Sequence, residues 1–188
     1  GRRPDARAVE ELMKGLFLSS LGLLMIGNSR PCSGAEHHLS HFWEIKALAG
    51  EMEEHFHGAK VGVATALMAA VYEIVRSRLP EFESNRLGTP LWTPENRRTR
   101  IDGVLRAYGG AAARLPRGWD GAYEPAAVHE RFERARRCVS SIRPALEGMR
   151  SPEQVVDLLR SAGAPATPCD LGISRDQVFE GLLYCKEL

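Results

Sequence analysis

The sequence predicts an all-α protein of six to eight helices, and three observations carry that prediction. Apolar residues recur at three- and four-residue spacing, most clearly through Val61, Ala64, Leu67, Met68, Val71, Tyr72 and Val75, which places them on one helical face. Capping residues, glycines and prolines punctuate the chain where such stretches begin and end. No run combines period-two alternation with β-branched enrichment, so no sheet is expected.

Taken in order, Asp5 is placed to cap a helix from Ala6 to about Ile26. Its second half, from Leu16 onward, is apolar nearly all round, which predicts a buried central helix. That stretch falls short of the roughly 20 residues that span a bilayer, and it lacks the flanks of a signal peptide. The run from Gly27 to Pro31 stops it. Ser33, Gly34, Ala35 and Glu36 open a second helix, His37 to about Ala49, which Gly50 breaks. A third covers Gly58 to Arg78 and is expected to end at Pro80. Leu87 to Pro94 reads as a loop, and Pro94 to Tyr108 as a helix. Gly109 to Pro125 is rich in glycine and proline and has no clear period. Pro125 to about Met149 is helical, with a kink or break expected at Pro144. Ser151, Pro152 and Gln154 form a start signal for a helix reaching Ser161. After a loop from Gly163 to Pro168, the last helix is expected from Ser174 to the end.

The chain has 188 residues, which predicts one domain covering 1–188. Its 25 Lys plus Arg against 24 Asp plus Glu give a net charge of +1, which argues against a nucleic-acid partner and against an acidic tail. Arg131, Arg134, Arg136, Arg137 and Arg143 are interleaved with Glu130, Glu133 and Glu147 and read as a solvated helix face. Trp92 and Trp119 fall in loops, where they could make interdomain or oligomer contacts. Cys32, Cys138, Cys169 and Cys185 form no CxxC pair. They predict reduced thiols and a cytoplasmic protein.

The histidines carry the chemical signal. His37, His38, His41, His55 and His57, five of the six, lie between positions 37 and 57. His37 and His41 are four apart on a predicted helix, with Cβ atoms about 6 Å apart on one face. Such a pair can share a divalent metal, or one ring can bind metal while the other handles protons. His57 opens the next helix and can point back at this one. A tetrahedral site wants a further ligand, and spacing singles out no carboxylate. Glu36 and Glu44 flank the pair as outer-shell or solvent-facing residues. The segment Ser29 to Gly34 links two helices and ends at a helix N-terminus. It reads either as an anion pocket or as a plain connection with a Ser cap.

The block Ser29-Arg30-Pro31-Cys32-Ser33-Gly34-Ala35-Glu36-His37-His38-Leu39-Ser40-His41, followed by His57-Gly58-Ala59-Lys60-Val61-Gly62, resembles the C-terminal half of sn-glycerol-1-phosphate dehydrogenases. These belong to the superfamily of iron-containing alcohol dehydrogenases and 3-dehydroquinate synthases. The SRPxSGxEHxxSH block is specific, and the resemblance covers about residues 6 to 75. It implies the all-α, multi-helix C-terminal domain of the dehydroquinate synthase-like fold, with the N-terminal α/β nucleotide-binding domain absent. It implies a divalent metal, zinc first with nickel or iron as alternatives, held by His37 and His57 together with an aspartate upstream. It places His41 nearby as a substrate or proton-relay residue, and Arg30 and Ser33 at the substrate phosphate. This differs from the spacing argument, which favours His37 with His41 as joint ligands.

The resemblance further implies a phosphorylated substrate, dihydroxyacetone phosphate or glycerol 1-phosphate. NAD(P) would be bound mainly by the missing domain, and the longer enzyme could be a homo-oligomer in lipid-precursor metabolism. No aspartate before His37 matches the third-ligand motif, Asp5 being the only one there, and no glycine-rich phosphate loop precedes the block. A helical fragment that is inactive by itself is therefore the expectation. The competing readings are another superfamily member, such as a glycerol dehydrogenase or a 3-dehydroquinate synthase-like enzyme, and a non-catalytic helical binding module.

Overall fold

A computed structural model describes residues 5–28, 32–84 and 92–187. Among these the fold is all-α, with seven α-helices, several short 3-10 turns and no strand. The helices are α1 (Ala6–Ile26), α2 (Ala35–Leu48), α3 (His57–Glu83), α4 (Pro94–Tyr108), α5 (Pro125–Glu147), α6 (Pro152–Ser161) and α7 (Arg175–Tyr184). The residues without a clear period between α4 and α5 form two 3-10 turns, Gly109–Arg114 and Trp119–Tyr123.

Local chemistry sets the helix ends. The Asp5 carboxylate accepts from the Ala8 N–H at 2.7 Å, and Gly27 stops α1 in the left-handed region at φ 73°. Ser151 and Gln154 form a reciprocal capping box at α6, and Ser174 and Gln177 repeat it at α7. Each satisfies two backbone donors that a helix start leaves unpaired.

The core is built on the α2–α3 pair. Leu39, Phe42 and Trp43 of α2 and Val63 and Ala64 of α3 are fully buried. α5 and α6 pack on α3, while α7 and the turn Cys185–Glu187 pack on α2. Gly181 lets α7 approach closely, because a Cβ there would lie 2.5 Å from Leu39 Cδ1 and 3.2 Å from Trp43 Nε1. The chain's end is fastened by buried Glu187, which accepts from the Tyr123 hydroxyl and from Arg100.

Three expectations are corrected. α3 does not end at Pro80 but continues to Glu83. A proline there removes one backbone bond near the helix end, while buried Leu79 and the edge-on contact of Phe82 with Phe132 of α5 hold the last turn in place. α5 likewise runs through Pro144 to Glu147, so of the kink or break expected there the break does not occur. The largest departure is α1, which buries none of its residues. Leu24 and Met25 are 79% and 86% exposed, and among the described residues no other helix packs substantially on it. Apolar composition predicts that a helix wants covering, not which element covers it.

α3 is the one described helix long and apolar enough to cross a bilayer. Here it is the central core helix, with Val63, Ala64, Ala66, Met68, Ala69 and Leu79 buried. Trp92 and Trp119 also have intramolecular roles. Both pack on Tyr123, and the Trp92 indole N–H donates to the Tyr123 carbonyl at 2.6 Å. The four cysteines are free thiols. On the basic stretch of α5, Arg134 and Arg136 pair with Glu130 and Glu133 of the same helix.

Candidate metal centre

Helical periodicity puts His37, His41 and Glu44 on one face of α2, at i, i+4 and i+7. His57 and Lys60 face them from the first turn of α3. The three imidazoles form a triangle, with ring centres 5.2 Å apart for His37–His57, 5.2 Å for His41–His57 and 6.1 Å for His37–His41. Three rings on one tetrahedral ion with metal–nitrogen bonds of about 2 Å would hold their centres about 5 Å apart. The observed spacing and the imidazole donors therefore fit a divalent transition metal held by two or three of these rings.

The carboxylate of Glu44 braces this triangle. One oxygen, Oε1, lies 2.7 Å from His57 Nδ1, and the other, Oε2, lies 2.8 Å from His41 Nδ1. Lys60 Nζ is 3.4 Å from Oε1. Partial burial pushes the Glu44 carboxyl up. The hydrogen bonds from His57 and His41 and the adjacent Lys60 charge outweigh it, and hold the group down at about 2 against a usual 4.5. An ionised carboxylate can only accept, so both rings present Nδ1–H to Glu44 and their Nε2 lone pairs are left for a ligand. This carboxylate–histidine arrangement is the one that orients metal ligands.

His37 differs from the other two, its Nδ1 lying 3.3 Å from Glu36 Oε1. His41, Glu44 and His57 also offer one ligating atom each within 4.8 Å of one another. Since both Glu44 oxygens are already engaged by the Nδ1 atoms, Glu44 acts here as the orienting group.

The Glu44 shift has a consequence for acid stability. A carboxyl whose folded pKa is depressed stabilises the fold fully above its unfolded value, and that contribution is lost as pH falls through the folded value. Between pH 4.5 and about 2 the wild type is expected to lose unfolding free energy more steeply than Glu44→Gln. Denaturation midpoints across that range check it.

The structure thus brings His37, His41 and His57 together. Ser33 lies half-buried just before α2, one turn ahead of His37. Arg30 lies outside the described residues. The Gly34 N–H donates to Glu36 at 3.1 Å, and the Cys32 thiol reaches the Ser19 carbonyl of α1. His55 hydrogen-bonds the Leu171 carbonyl at 2.9 Å and fastens a loop instead of joining the triangle. An open cleft of about 300 Å³ adjoins His57, lined by Glu44, Leu48, Glu54, His55, Phe56 and Lys60. Sequence reasoning missed the bridging role of Glu44 and any role for Lys60. The signal was present, because Glu44 repeats the helical period of His37 and His41, and Lys60 is one turn beyond His57.

No protein-family model matches the chain, and no solved structure matches it. Curated proteins do. The chain is 30% identical over 176 residues to a glycerol-1-phosphate dehydrogenase (NAD(P)+) of Geobacillus stearothermophilus, which covers 94% of this chain and 34% of that protein. It is 41% identical over 88 residues to the protein of that name from Halalkalibacterium halodurans, covering 46% of this chain and 22% of the other. The Bacillus subtilis protein is 28% identical over 180 residues, 96% of this chain and 33% of its own length. The chain spans about a third of the length of the curated relatives that match nearly all of it.

Proposed function

Because the chain belongs to the glycerol-1-phosphate dehydrogenase family, we propose that it forms the helical, metal-binding part of an NAD(P)-linked enzyme that interconverts dihydroxyacetone phosphate and sn-glycerol 1-phosphate. The observation that carries this reading is the His37–His41–His57 triangle braced by Glu44. His37 and His57 are the proposed protein ligands, each through Nε2, with a further ligand and the nicotinamide site supplied by sequence outside these 188 residues. A bound divalent ion would polarise the substrate ketone and stabilise negative charge on its oxygen.

The chain's own residues do the rest. Glu44 fixes the His57 ring so that one nitrogen faces the cleft. His41, turned by the same carboxylate, presents Nε2 to the substrate oxygen, and in the direction of reduction a proton taken up at that nitrogen passes to the oxygen. Arg30 and the Ser33 hydroxyl, which lead into α2, receive the phosphate. Zinc suits imidazole ligands, and nickel or iron can replace it. The cleft beside His57 is of a size for a small ligand.

The test is an assay of the complete two-domain protein for oxidation of NADH and NADPH with dihydroxyacetone phosphate or with unphosphorylated dihydroxyacetone. Turnover is expected with the phosphorylated ketone alone. Equal turnover of both would point to a glycerol dehydrogenase-like activity. A polypeptide of these 188 residues by itself is expected to show no turnover.

A further inference from the structure

Lys60 is 3% exposed, yet it carries a charge. Burying an unpaired ammonium is costly, so a lysine kept in such a place needs a compensating partner. Among the described residues its ion pair is with Glu44, at 3.4 Å to Oε1. That is the oxygen that also accepts from His57, while Oε2 accepts from His41. Lys60 follows His57 by three residues on α3, and Glu44 follows His41 by three on α2. Two helix faces of matching spacing thus meet around one carboxylate. The Ser40 hydroxyl lies 3.4 Å from the same Nδ1 and is too weakly placed to fix the ring by itself.

We propose that Lys60 is a positioning residue: by holding the Glu44 carboxylate in place it fixes both His41 and His57 as Nδ1–H tautomers, with Nε2 turned to the ligand. The inference rests on the metal-site reading, but its mechanical part, the tautomer, exists without any metal. Lys60 touches neither substrate nor ion in this account and acts through Glu44.

The test uses two readouts on the full protein. The first is the long-range proton–nitrogen NMR spectrum of the histidine rings in the metal-free state, which reports the tautomer of each ring. Wild type is expected to show His41 and His57 with the proton on Nδ1. Lys60→Met and Lys60→Gln, which remove the charge without and with a hydrogen-bonding group in its place, are expected to show mixed tautomers at both rings. Lys60→Arg is expected to restore the wild-type pattern. The second readout is zinc affinity by chelator competition. It is expected to fall by about 10- to 100-fold in the Met and Gln variants, in line with loss of an outer-shell partner, and to recover in Lys60→Arg. Unchanged tautomers in folded Lys60→Met or Lys60→Gln protein overturn the proposal. So does a Lys60→Arg variant as defective as Lys60→Met. Wild type with fixed tautomers but no zinc binding would refute the metal reading and leave the role of Lys60 in tautomer control standing.

Discussion

Replacing His57 with alanine is expected to lower turnover of dihydroxyacetone phosphate by about a thousandfold, since a catalytic metal contributes several kcal/mol of charge stabilisation in the transition state. The loss should appear in kcat and should coincide with loss of bound metal. His57 is at the centre of the site. It is 5.2 Å from both other rings and shares Glu44 with His41. It is also 45% exposed and sits in the first turn of α3, so its truncation leaves the core intact and the fold should survive. His41→Ala supplies the contrast. Loss of a proton-transfer group costs about 10²- to 10⁴-fold, but the metal should remain. Metal content and kcat measured together on the two variants separate the roles.

The second large effect is on stability. Trp43 is fully buried between α2 and α7, and its indole N–H donates to the Gln177 carbonyl at 3.4 Å. Trp43→Ala is expected to cost about 3–5 kcal/mol, because a large aromatic leaves a cavity that its neighbours fill only in part. That is a substantial share of the roughly 5–15 kcal/mol that stabilises a typical domain. Trp43 also immediately precedes Glu44, so the loss should loosen the metal site as well as the core. Chemical denaturation should show a lower midpoint for Trp43→Ala, with Trp43→Phe falling between it and the wild type.

Much of this fold was legible in the sequence because local signals set the helix ends. Asp5, Thr93, Ser151 and Ser174 each cap the helix that follows them, and Gly27 ends α1. These effects act within a few residues and need no tertiary information. Where tertiary packing decided, local reading failed. Pro80 signals a stop, but burial of Leu79 and the contact of Phe82 with Phe132 carry α3 past it. α1 reads as a core helix, yet its apolar residues are exposed, because burial depends on which elements fold over a helix.

The site divides the same way. Clustering and four-residue spacing pick out His37 and His41. Spacing alone favours His41 as the partner of His37, because the approach of His57 depends on how α3 docks on α2. The docked helices place all three rings within 6.1 Å. The helical period places Glu44 on the face of His37 and His41, but its reach to His57 is created by the docking of α3 and is invisible along one helix.

In the proposed site, α2 and α3 together hold one divalent ion through His37 and His57. Cobalt substitution followed by visible absorption spectroscopy tests it directly on the complete protein. One equivalent of cobalt per chain is expected, with an intense tetrahedral ligand-field band that is lost in His37→Ala and in His57→Ala. No stoichiometric uptake, or a band unchanged by both substitutions, would contradict it.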